Sequence, residues 1–329
     1  MRKGVGAALL TAVLAVLVGD STVPIAGQNP TSAANPSGQK QNEPAQEAPS
    51  SSRTIRVTSD LVNVLFTVYD KKNRMVVDMT KDDIRVLENN KPQSIRFFSR
   101  ESDLPLRIGI LIDTSNSVRE RLHFEQEAAI DFLNATVRPG KDMAFVVGFD
   151  VQPQLVQDYT DDGEALSQAV RSLQAGGGTA LFDAIYFASK QKMLYFPPPE
   201  PYLRRVLIVI SDGRDNQSEH TRDESLAMAQ HGEVTIYAIS TNRSGVSSQG
   251  DKVLTYLARE TGGRAFFPFA ASDLAENFQE ISRELRSQYS LGYVSSNTAH
   301  DGTFRKIFIE ATNKDFHVHS KTGYFSPTQ

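Results

Sequence analysis

From Leu106 onward the chain alternates short apolar runs with amphipathic stretches, an order that few architectures accept. The apolar runs are Leu106–Ile112, Met143–Phe149, Val206–Ile210, Val234–Ile239 and Ala265–Phe269, and each reads as a strand. Between the first two, Arg121–Thr136 sets Leu122, Ala129, Phe132 and Leu133 on one side at helical spacing. Leu274–Tyr289 does the same with Leu274, Phe278, Ile281 and Leu285. Glu164–Leu173, Ala180–Leu194, Glu224–Gln230 and Lys252–Glu260 are the other predicted helices. Strands that alternate with helices predict an α/β fold: a doubly wound, mostly parallel sheet with helices on both faces.

The flanks follow a different rule. In Ile55–Asp70, Val62, Val64, Phe66 and Val68 alternate with Asn63, Leu65, Thr67 and Tyr69, a period of two. A polar turn at Lys71–Arg74, a short strand at Met75–Val77, and strands at Ile84–Leu87 and Ser94–Ser99 complete a β module of about 45 residues, small for an independent core. The far end of the chain supplies Tyr289–Val294, Phe304–Ala311, Phe316–Ser320 and Tyr324–Phe325 with no helix to cover them. Pairing of the two flanks is the economical solution. It predicts a small β-sandwich-like unit built from residues 54–103 and 289–329, with the α/β domain, 104–288, inserted between its halves. No internal repeat is present.

Ahead of these elements, Arg2 and Lys3 precede an uncharged stretch, Val5–Val18, of the length of a secretory signal and short of the ~20 residues a membrane span needs. Residues 1–26 are the expected signal peptide, and residues 27–53, which lack Val, Ile, Leu, Met, Phe and Tyr, the expected disordered linker. The expected location is outside the cytoplasm: periplasm, cell surface or secreted. Contact with a membrane is expected only through an uncleaved signal segment. The chain of 329 residues has no Cys, which excludes disulfides, thiolate metal sites, a cysteine nucleophile and lipidation at the signal. Its 35 basic against 39 acidic residues leave a formal charge of −4, which argues against a nucleic-acid partner.

One constellation carries chemistry. The run Leu106–Ile112 ends in Asp113-Thr114-Ser115-Asn116-Ser117, a D-x-S-x-S pattern at a strand's carboxyl end, where open α/β sheets form their sites. One carboxylate and two hydroxyls on alternate residues suit a hard cation, Mg²⁺ or Mn²⁺. Gly176-Gly177-Gly178-Thr179 adds a hydroxyl on a loop that permits a tight backbone path, and Ser211-Asp212-Gly213, closing another strand, adds a second carboxylate. The candidate metal residues are Asp113, Ser115, Ser117, Thr179 and Asp212. Asn116, Gly178, Gly213 and Asp215 lie on the same loops and are the candidate partner contacts. The alternative, that Asp113 and the serines only cap the following helix, accounts for Ser117 but not for Thr179 and Asp212.

On these residues the chain resembles a von Willebrand factor type A domain: D-x-S-x-S, a distant Thr, then S/T-D-G closing an apolar strand, in order over Leu104–Val294. The resemblance implies a Rossmann-like domain with a metal-ion-dependent adhesion site. It implies Ser115, Ser117 and Thr179 as direct ligands, Asp113 and Asp212 acting through bound waters, and a last position for a partner's acidic side chain. The flanks resemble a bacterial exported group of such proteins, in Thr80–Gln93 (TKDDIRVLENNKPQ), in the YSLGY strand Tyr289–Tyr293 and in Lys321–Phe325.

Other patterns are weaker. His317 and His319 share a strand face without a third ligand and read as a solvated face; His123, His220, His231 and His300 read as surface residues. The haloacid-dehalogenase pattern wants a second Asp where Ser115 stands, and Gly245–Gln249 lacks the closing Gly of G-x-S-x-G. No phosphate-binding glycine motif is present. Pro197–Pro201 reads as a stiff spacer. The expectation is a non-enzymatic binding module that captures a protein ligand with an exposed Asp or Glu, without a small-molecule substrate. The rivals are an assembly scaffold whose metal only stabilises loops, and a metal-assisted hydrolase using Asp113 or Asp212.

Overall fold

The computed structural model describes residues 61–101, 103–195, 203–242 and 244–328. The expected signal peptide, linker, first residues of the β module and proline-rich spacer lie outside them.

In chain order the elements are β1 (Leu61–Tyr69), β2 (Ile84–Glu88), β3 (Lys91–Gln93), β4 (Ile95–Glu101), β5 (Leu106–Asp113), α1 (Leu122–Thr136), β6 (Met143–Phe149), β7 (Pro153–Thr160), α2 (Gly163–Ser172) and α3 (Leu181–Phe187). They continue as β8 (Arg204–Ser211), α4 (Arg222–His231), β9 (Val234–Ser240), α5 (Gln249–Glu260), β10 (Ala265–Phe266), α6 (Ala271–Leu285), β11 (Gln288–Val294), β12 (Phe304–Ala311), β13 (His317–Ser320) and β14 (Gly323–Phe325).

The central sheet has the order β10-β9-β8-β5-β6-β7. All its neighbours run parallel except β7, which returns antiparallel to β6. Every residue of β5 is buried, because helices cover both faces. Ile108, Ile110 and Ile112 pack with α1, α2 and α6, while Leu111 joins Leu207 and Val209 against α3, α4 and α5. Each such fully buried side chain contributes about 1.5–3 kcal/mol.

The flanks pair as expected. Sheet β13-β1-β11-β4 and sheet β14-β12-β2-β3 enclose one core around Val64, Phe66, Val86, Leu291, Tyr293 and Ile309. Strand β1, from the N-terminal flank, lies between β11 and β13, both from the C-terminal flank. Phe66 stacks on Tyr289 with ring centroids 5.4 Å apart.

Several expectations shift. The run Ala265–Phe269 is a strand only to Phe266; Pro268 lacks the N–H that a ladder needs, and Phe267 and Phe269 are exposed. Strand β7 was not expected. It is an edge strand with Gln154, Gln157 and Asp158 among its apolar residues, so its apolar signal is diluted. Met75–Val77 makes one isolated bridge, Met75 to Tyr69, and no strand. Strand β3 carries Pro92 and is tolerated as a sheet edge. The helix predicted over Leu274–Tyr289 ends at Leu285, and α3 passes into a wider π-helical turn over Ala188–Leu194.

Candidate metal site

The site lies at the carboxyl ends of β5 and β8, which neighbour each other at the middle of the sheet. Asp113 is the last residue of β5 and is wholly buried. Its Oδ1 accepts the Ser115 N–H at 2.9 Å and its Oδ2 accepts the Ser211 hydroxyl at 2.7 Å. Burial pushes the Asp113 carboxyl above its ordinary pKa; hydrogen bonds from Ser211 and Ser115 pull it back, and the charge of Asp212 pushes it up again. A carboxylate so placed gains from a nearby cation.

After Asp113 the backbone turns under restraint from both sides. The Thr114 N–H donates to the Phe149 carbonyl at 2.8 Å, and the Gly176 N–H donates to the Thr114 carbonyl at 2.7 Å. Ser115 is extended, and Asn116–Val118 then form one 3₁₀ turn. That turn brings Ser117 back toward Ser115, so the two Oγ atoms stand 2.9 Å apart. Ser115 is buried and Ser117 exposed.

Two further loops are fastened to this one. The Gly177 carbonyl accepts from the Asn116 backbone N–H at 3.3 Å and from its Nδ2 at 3.1 Å. Thr179, 4% exposed, donates its N–H to Asn216 Oδ1 at 3.0 Å, and its carbonyl accepts the Asn216 N–H at 3.0 Å. A β-carbon at Gly178 would stand 2.6 Å from Gln217 Cγ and 2.8 Å from Asn216 Oδ1, so a larger residue would have to displace these side chains. Asp212 is 13% exposed by side chain, and its Oδ1 accepts the Arg214 N–H at 3.0 Å.

The expected partner contacts divide. Asn116 is exposed and Gly178 half-buried. Gly213 is buried at φ +75°, where a β-carbon would lie 2.3 Å from the Gly250 carbonyl oxygen. Asp215 is committed within the protein: its Oδ2 accepts the Phe182 N–H at 3.1 Å and the Ser218 hydroxyl at 2.5 Å, and its Oδ1 the Ser218 N–H at 3.3 Å. Gly213 and the half-buried Asp215 thus shape the loop from within. Sequence reasoning missed Ser211 as the partner of Asp113. The signal was the parallel register: Ile112 pairs Ile210, which sets Asp113 beside Ser211.

The histidines are less bland than their scattering implied. His220 Nδ1 lies 2.7 Å from Asp183 Oδ1, and its ring stacks on Tyr186 at 3.7 Å. His231 stacks on Phe325 at 3.8 Å, and His319 is half-buried against the Tyr69 ring at 5.0 Å.

Do these residues fit a hard cation? Octahedral Mg²⁺ holds oxygens at about 2.0–2.1 Å, so adjacent ligand oxygens are separated by √2 times that distance, about 2.9 Å. The Ser115 and Ser117 hydroxyls, hydrogen-bonded to each other at 2.9 Å, stand at the spacing of adjacent vertices. Hydroxyl and carboxylate oxygens without nitrogen or sulfur are the donor set for Mg²⁺ or Mn²⁺. Among the described residues no group of three or more His, Asp and Glu side chains offers a competing site.

Residues 108–214 match the family model of the von Willebrand factor type A domain. No curated protein matches the chain. Solved structures similar to it include the PilB minor pilin of Streptococcus sanguinis, at 12% identity and TM-score 0.44, covering 56% of this chain and 62% of the pilin. The conserved hypothetical protein BatB of Bacteroides thetaiotaomicron is matched at 17% identity and TM-score 0.45, over 55% of this chain and 100% of BatB. Proximal thread matrix protein 1 of the mussel byssus, with a zinc-occupied MIDAS motif, is matched at 16% identity and TM-score 0.48, over 61% of this chain and 50% of that one. The chain thus spans less than two thirds of the pilin's and the byssus protein's resolved lengths.

Proposed function

We propose that this chain, which carries a von Willebrand factor type A domain, is an exported protein-interaction module that captures a partner's Asp or Glu through a metal ion at the β5–β8 edge. The observation that carries the reading is the pair of serine hydroxyls 2.9 Å apart beside a buried carboxylate. Ser115 and Ser117 would hold the ion directly, with Thr179 completing the hydroxyl set. Asp113 and Asp212 would balance its charge through waters. A bound Mg²⁺ supplies a positive centre with one exchangeable position. The residues around it do the rest. Asp113 orients Ser115 through its N–H, Ser211 fixes the Asp113 carboxylate, and Asn116 and Asn216 hold the three loops in register.

A binding role is preferred to an enzymatic one on chemical grounds. Both oxygens of Asp113 already accept hydrogen bonds, and the half-exposed His220 turns its Nδ1 to Asp183. Neither is poised as a base toward the site. Export rests on the basic start and apolar run of residues 1–26. Among the described residues no helix is long and apolar enough to cross a membrane.

A scaffold reading draws on one observation: Asn116 and Asn216 fasten the loops without an ion. Titration calorimetry of the full chain with Mg²⁺ and Mn²⁺, paired with capture of Asp-containing peptides with and without chelator, separates the two. The expected result is metal binding and metal-dependent capture in the wild type, both lost in Asp113→Ala and Ser115→Ala with far-UV dichroism unchanged. Capture that survives chelation and both substitutions would sink the proposal. Metal binding without any capture would favour the scaffold.

A further inference from the structure

We infer that the partner presents two acidic residues, one for the metal and a second for a guanidinium beside it; the inference rests on the metal-dependent reading above. Arg214 directly follows Asp212-Gly213. Its backbone is fixed, because Gly213 is wedged against Gly250 and the Arg214 N–H donates to Asp212 Oδ1 at 3.0 Å. Its side chain is 76% exposed, and its Nε stands 3.9 Å from Asp212 Oδ2, beyond hydrogen-bond length. The guanidinium thus stands beside the site in a long ion pair with Asp212, with most of its side chain open to solvent.

On the β5–α1 loop, Arg119 is also exposed. One of its terminal nitrogens donates to Asn116 Oδ1 at 2.9 Å and to the Ala175 carbonyl at 3.1 Å, which leaves the remainder of its fork facing solvent. Exposed amides at Asn116, Asn216 and Gln217 add donors without negative charge. Glu120 is the exposed acid next to Arg119. The chain as a whole carries a formal charge of −4, so these cations are not a by-product of a basic composition. Asp150, Asp212 and Asp215 lie on loops at the same sheet edge but are half-buried, so the exposed Arg214 and Arg119 are the charges a second carboxylate would meet beside the ion. A guanidinium fork matches a carboxylate through two parallel hydrogen bonds, geometry that a lysine cannot reproduce. The first carboxylate sets metal dependence, and the second sets which acidic segments are chosen.

The test uses the full chain and immobilised Gly/Ser peptides that carry either one Asp, or an Asp and a Glu separated by zero to five residues, in MgCl₂ or in chelator. In Mg²⁺ the wild type should retain at least one paired spacing roughly threefold to tenfold better than single-acid peptides, the range for a charge-assisted but partly solvated contact. That ratio should fall to about one in Arg214→Ala, recover in part in Arg214→Lys, and shrink as NaCl screens the second contact. A ratio near one in the wild type, or one unchanged in Arg214→Ala, overturns the acidic-pair inference and leaves the metal-dependent reading standing. No Mg²⁺-dependent retention of any peptide overturns both.

Discussion

At the scale of single residues the proposed metal binding turns on how Asp113 is held. Asp113 is wholly buried, its carboxyl is pushed above the ordinary value, and Asp212 adds like charge nearby. Removing the carboxylate relieves a desolvated charge, though it orphans the Ser211 hydroxyl and the Ser115 N–H. The expected outcome has two parts. In chelator, Asp113→Ala should melt within a few degrees of the wild type. In Mg²⁺ at about a hundred times its dissociation constant, the wild type should gain roughly 2.7 kcal/mol and the variant nothing. Thermal melts with and without Mg²⁺ read this directly. An equal Mg²⁺ gain in the variant would place the ion elsewhere. Gly213→Ala tests the loop instead. It forces a side chain into a left-handed backbone and against Gly250, and should cost about 1–3 kcal/mol with or without the ion, read by the same melts.

At the scale of elements one buried carboxylate joins three of them. Asp142 is wholly buried and accepts the Leu106 N–H at 2.8 Å from the start of β5, Arg138 Nε at 2.7 Å after α1, and Arg286 at 2.8 Å after α6. Burial alone would raise its pKa, but the hydrogen bonds from Arg138, Leu106 and Arg286 outweigh it and lower the value to about 2. The folded value lies below the unfolded one, so the stabilisation is fully present above about pH 4 and is lost as pH falls from 4 toward 2. Asp142→Asn should destabilise at pH 7 by on the order of 2 kcal/mol and flatten the loss of stability between pH 4 and 2. Denaturant melts at pH 7, 4 and 3 check the slope. A variant as acid-sensitive as the wild type would assign that loss to other carboxylates.

Elements also show what was legible beforehand. The four long parallel strands β5, β6, β8 and β9 were readable because burial on both faces leaves an almost unbroken apolar run. Strand β7 was not, because it lies at the sheet edge, half of it is exposed, and Gln and Asp interrupt its pattern. Helix α6 was predicted too long because Leu285 and Tyr289 keep helical spacing across a boundary; the helix yields to β11, where Tyr289 packs against Phe66. The Asp113–Ser117 loop was legible as a motif at a strand end. The part of Ser211 was not, since it comes from strand register, and the sequence did not show that Asn216 ties its loop to Thr179.

At the scale of the molecule the order of the chain ties the sandwich to the α/β domain. Strand β1 closes the sandwich only after β11 and β13 exist, and β11 begins just beyond α6. Across the boundary, Glu284 of α6 accepts Tyr237 Oη of β9 at 3.0 Å and Thr67 Oγ1 of β1 at 3.4 Å. Arg264 reaches Tyr69 Oη at 3.1 Å and Glu280 at 2.7 Å. A sandwich made of both flanks cannot unfold without freeing the two ends of the domain between them, and the Glu284 contacts are buried at the junction. Phe66→Ala removes the ring that stacks on Tyr289 at the centre of the sandwich core and should cost about 3–5 kcal/mol. If the two parts are one cooperative unit, that cost appears far from the mutation. Amide exchange in β5, which lies in the other core, should accelerate by the same free energy as exchange in β1, and far-UV and tyrosine signals should melt together. Acceleration confined to β1, β11 and β13, or two separated transitions, would mean that the α/β domain stands without its sandwich and that the β5–β8 edge keeps its geometry when the flanks open.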